Sequence, residues 1–80
     1  MEAHALTGSA LADLLVKVIT GVEGGTDDHW REIIGPVHRL PIIDNVRSNW
    51  SVIPGGTRRE RDVIGKAAEI VRQAHPYVKG

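Results

Sequence analysis

The sequence predicts a small α+β domain in which an N-terminal and a C-terminal helix pack on a short antiparallel β-hairpin, in the order α-α-β-β-α. Three observations lead there. Apolar residues recur at three- and four-residue spacing near both ends of the chain, two short β-prone runs lie between them, and glycine-rich breaks at Gly21–Gly25, Gly35-Pro36 and Pro54-Gly55-Gly56 separate the segments. Eighty residues make one domain, 1–80. Residues 1–8 precede the first helix signal and are expected to be flexible.

The first helix is read from Ser9, as cap, to about Thr20. Leu11, Leu14, Leu15, Val18 and Val22 form one stripe along it. Gly21 or the Gly24-Gly25 pair supplies its stop. Ala12, Val16 and Ile19 form a second flank, so the helix is expected to lie between two surfaces, one of them offered by another copy of the chain. Thr26 to Ile34 is ambiguous between helix and strand; a cap residue, acids in the first turn and Gly35 just past the end favour a short helix. Its inward residues are expected to be Trp30, Ile33 and Ile34.

Two strands are expected next, Val37 to about Ile43 and Asn49 to Ile53, joined by the turn-prone run Asp44-Asn45-Val46-Arg47-Ser48. Pro41 makes the first strand short or places it at an edge. In the second, Trp50 and Val52 share a face. The last helix carries the clearest signal. Thr57-Arg58-Arg59-Glu60 is a capping box, followed by an apolar stripe of Ile64, Ala67, Ala68, Val71 and Ala74 flanked by Val63 and Ile70. Pro76 ends it near His75, and Tyr77 and Val78 are expected to fold back as a closing arm.

Composition narrows the function classes. With no cysteine and no phenylalanine, the chain has neither disulfides nor thiolate metal ligands, and its core must be aliphatic around Trp30, Trp50 and Tyr77. Met1-Glu2-Ala3-His4 lacks the basic and apolar regions of a signal peptide, and Leu14-Leu15-Val16 is too short to span a bilayer. A cytoplasmic protein with no membrane partner is the expectation. Formal charge is zero, yet residues 1–40 hold six acids against three bases and residues 41–80 hold four against seven. The halves are expected to pack against each other.

Chemistry-bearing patterns are sparse. The histidines His4, His29, His38 and His75 have no metal-ligand spacing, so no metal is expected, and no cofactor motif is present. There is no nucleophile elbow, and a chain this short has little room for a pocket of ~300 Å³ or more. The expectation is a protein without catalytic residues. Two binding surfaces remain. One is an anion site where Gly55, Gly56, Thr57, Arg58 and Arg59 enter the last helix, since glycine backbone N–H groups and arginines at a helix N-terminus suit a phosphate, although a tight turn and helix cap account for the same residues without a ligand. Arg61 and Arg72 extend it along one helix edge beside Gly65, with Arg47 nearby in sequence order and Trp50 as a stacking platform. The other is the apolar flank Ala12, Val16 and Ile19, as an interface.

Two function classes follow. The first is a non-catalytic interaction module that binds another protein or a second copy of itself. The weaker alternative is a small regulator that binds nucleic acid or a phosphorylated ligand through the arginine-rich start of the last helix. A neutral chain is a poor non-specific DNA binder, because that affinity comes from neutralising phosphates. A stacking role also requires the Trp50 ring to be exposed.

Overall fold

The computed structural model describes residues 6–44 and 47–79. In chain order these form β1 (Leu6–Thr7), α1 (Gly8–Glu23), α2 (Asp27–Ile34), β2 (His38–Arg39), a 3-10 turn (Ile42–Asp44), β3 (Trp50–Ser51), α3 (Arg58–Ala74) and β4 (Val78–Lys79). The mixed helix-and-sheet class stands. Of the segment 1–8, residues 1–5 lie outside the described part, as do Asn45 and Val46 of the turn. Leu6 and Thr7, expected to be flexible, instead pair in parallel with Val78 and Lys79.

That pairing moves the start of α1. Thr7, not Ser9, is the cap: it is held extended (φ −70°, ψ 163°), and its hydroxyl accepts the Ala10 N–H. A cap residue needs extended geometry, and a strand partner supplies it. The helix then runs through Gly21 to Glu23 and stops at Gly24, whose positive φ of 79° suits glycine. Thr26 caps α2 by accepting the His29 N–H, and Trp30 and Ile34 are buried as its inward face.

The helices pack mainly on one another. Helix α1 lies against both α2 and α3. It buries Leu11, Leu15, Val16 and Ile19, while α3 buries Ile64, Ala67, Ala68 and Val71. The hairpin expected to support the helices is a two-residue ladder, His38 opposite Ser51 and Arg39 opposite Trp50. Pro41 and the 3-10 turn end β2, and after β3 the chain is drawn away by the Gly55 N–H bond to the Ile33 carbonyl (2.7 Å). Two-residue strands offer no face on which a helix can rest.

What the strands do is hold the chain ends. Asn49 is only 1% exposed, and its side chain receives the Val78 N–H (2.7 Å) and donates to the Val78 carbonyl (2.9 Å). Its own N–H donates to Pro76, and its carbonyl accepts from Leu40. One buried residue, through its side chain and its backbone, therefore ties the segments at β2, β3 and β4 together. Each tryptophan does similar work at a helix end. The Trp30 indole N–H donates to the carbonyl of Gly24, the residue that ends α1, and the Trp50 N–H to the carbonyl of His75, the residue that ends α3 (both 2.8 Å). These are the carbonyls a helix leaves without partners.

Asn49→Ala is expected to destabilise the fold by about 1–3 kcal/mol for each Val78 group left without a partner. Urea denaturation measures it; a loss below about 0.5 kcal/mol, the range of neutral surface changes, would show that the amide is dispensable.

Candidate functional site

The turn into α3 is either a helix cap or an anion site by sequence. Glycine is needed at Gly56, where φ is +84° and an added Cβ would come within 2.7 Å of Glu60 Oε1. The capping box forms as read from the sequence: Thr57 Oγ1 accepts the Glu60 N–H (3.1 Å), and Glu60 Oε1 accepts the Thr57 N–H (2.8 Å). The other Glu60 oxygen lies 2.6 Å from His29 Nε2 at the start of α2. A carboxylate of the chain itself thus occupies the mouth of the turn, as the capping reading has it, where the alternative was a bound phosphate. The Thr57 N–H bond, and then the His29 contact, hold the Glu60 carboxyl below its usual range.

The arginines do not gather into one patch. Arg59 is paired with Glu23 at the end of α1 (2.9 Å), and Arg61 donates to the Gly56 carbonyl (2.9 Å). Arg72 lies near the far end of the same helix. Its guanidinium carbon sits 4.4 Å from the centroid of the Trp50 ring, and it donates to Ser48 Oγ, to the Trp50 carbonyl and to Glu69. Arg47 lies toward the Arg72 end, where both line a shallow hollow with Asp44 and Ser48, and Arg58 opens the helix. Both are exposed. The Trp50 ring is 1% exposed, so it stacks on no base. The reason lies in its N–H bond to His75, which draws the ring under the end of α3.

The expected interface is also overturned. Val16 and Ile19 are each 1% exposed and belong to the core, with Ala12 half-buried beside them. Helix α1 is indeed covered on two sides, but by α2 and α3 of the same chain. An apolar surface does reach solvent elsewhere, along the seam between α1 and α3. There Val22 is 77% exposed and Ile70 61%, and with Val18, Val63 and Ala67 they line a groove of about 250 Å³. Lys66 and Glu23 stand at its rim. The sequence carried a signal for it: Val63 and Ile70 widen the apolar arc of α3 beyond what one neighbouring helix covers.

On the other side of the Lys66–Ile70 row, a shallow depression is lined by Arg61, Asp62, Gly65 and Glu69. Gly65 sits within the exposed helix, and a Cβ there would meet nothing within 4 Å. Glycine in a helix interior costs about 0.5–1 kcal/mol relative to alanine, and among the described residues no contact requires its small size.

Among the described residues no three histidines or carboxylates gather as a metal cluster, and no helix is long and apolar enough to cross a membrane. No family model, curated protein or solved structure matches the chain.

The lowered Glu60 carboxyl gives a stability term with a definite sign. A group whose folded pKa is depressed stabilises the fold above its ordinary pKa, and that stability is lost as pH falls through the folded value. Glu60→Gln keeps a hydrogen-bonding cap without the ionisation. Between about pH 5 and pH 2 its melting temperature should fall less than that of the parent chain. Equal slopes would mean that the carboxylate contributes nothing.

Proposed function

We propose that the chain is a small protein-binding module whose docking face is the α1–α3 seam, and that its occupant is an amphipathic helix. The observation that carries this reading is the pair of exposed aliphatic side chains, Val22 and Ile70, framing the apolar groove. A linear groove between two helices suits the apolar edge of a third, which ridges-into-grooves packing seats along it. With Glu23 already paired with Arg59, Lys66 is a lone cation beside an apolar lining, which favours an apolar helix edge over a polyanion. Engagement of Arg59, Arg61 and Arg72 within the chain weighs the same way.

A synthetic peptide covering residues 58–74 is a suitable probe, because outside the fold its apolar stripe is free to dock. Added to the full chain, it should shift the methyl resonances of Val18, Val22, Val63 and Ile70 while leaving that of Val52 in place. Ile70→Asp, a change at an exposed position, should leave the fold intact and weaken the peptide by about 10- to 100-fold, the equivalent of losing one buried aliphatic side chain. Unmoved groove methyls, or equal binding by the Ile70→Asp chain, would overturn the reading.

A further inference from the structure

Resting on that docking face, we infer that the helix it takes carries a carboxylate beside its apolar edge, on the flank that meets α3. Arg59, Val63, Lys66 and Ile70 stand four, three and four residues apart, so they form one row along α3. Val63, Lys66 and Ile70 of that row line the groove. Arg59 opens the row but is held by Glu23 of α1 at 2.9 Å, so the two are neutral as a unit.

Lys66 is different. It is exposed, and among the described residues it has no hydrogen bond or ion pair. Asp62, one turn earlier, lines the depression on the other side of the row rather than the groove. The α1 side of the groove is made by Val18, Ile19 and Val22, and its acid, Glu23, is the residue that pairs with Arg59. The unbalanced charge of the rim is therefore one cation, on the α3 side alone.

A helix laid along the groove covers the lysine stem, which extends the apolar lining, and brings its own flank beside the ammonium. An uncharged flank takes water from that ammonium and offers no partner in return. A lysine or arginine there sets like charge against like. A glutamate or aspartate supplies the missing partner, and because the cation stands on one side only, the pair also fixes which flank of the helix faces α3. One cation is too few for nucleic acid, whose affinity comes from neutralising many phosphates.

Short synthetic helices sharing one leucine edge, with glutamate, glutamine or lysine on one flank of it, test the inference. Each is titrated into the full chain at low salt, with the Val22 and Ile70 methyl resonances as readout. The glutamate helix should bind about two- to fivefold more tightly than the glutamine helix, the worth of one exposed ion pair, and the lysine helix more weakly than either. Salt at about 0.5 M should level the three while docking persists. Lys66→Glu, a change at an exposed position, should reverse the order, which a merely damaged fold would not do. Equal affinities for the parent chain, or an order that Lys66→Glu leaves unchanged, would overturn the inference and leave the docking face standing. So would a glutamate peptide with serine in place of its leucines that binds as tightly, since charge alone would then be read. If no helix moves the groove methyls, the docking face itself falls.

Discussion

A helix ends in carbonyl groups that its own backbone cannot satisfy, and in a chain this short those ends lie close to the core. The fold is organised around meeting that need with its two largest side chains. Trp30 reaches back to the carbonyl that closes α1, and Trp50 reaches across to the one that closes α3. Each ring then fills the core beside the helix end it satisfies. The tryptophans therefore supply volume and hydrogen bonding at the same points. Arg72 continues the second arrangement by covering the Trp50 ring and donating to its carbonyl.

The short strands follow from the same constraint. Once α3 ends at His75, the remaining residues have backbone groups to satisfy near the core, and Asn49 acts as a strand partner for Val78. Its amide offers one acceptor and two donors in a plane, which matches an exposed peptide edge. Leu6 and Thr7 complete the other side of that edge and, by being held extended, cap α1. Two-residue ladders serve here as fasteners between helices. Among the described residues, polar contacts tie the helices pairwise at the surface: Asp13 with Arg31, Glu23 with Arg59, and His29 with Glu60. Pairs this exposed contribute little stability each, but they occupy groups that would otherwise be open to ligands.

That occupation explains why the basic half of the chain does not act as one surface. The dipole and free N–H groups at the start of α3 attract an anion, and Glu60 is the nearest one, held three residues away by the helix itself. Every arginine bound within the chain lowers its availability to a phosphate. The apolar surface is the opposite case, since among the described residues no element covers the aliphatic side chains at the α1–α3 seam. A third helix, α2, covers the other side of α1 and is too short to reach around it.

The sequence alone determined the local structure of α2 and α3. Thr57 and Glu60 cap α3 because the reciprocal bonds form within four residues, and Thr26 and Gly35 bound α2 for the same kind of reason. Tertiary structure alone decided which element covers which flank. The pattern of α1 shows two apolar sides without naming their partners, so Val16 and Ile19 looked available while Val22 looked buried. It also decided that Asn49, an ordinary turn-and-strand residue in the sequence, is the buried tie among three segments, and that Arg72 belongs to Trp50. Those contacts join residues more than twenty positions apart, and no periodicity along a chain encodes which distant residues will meet.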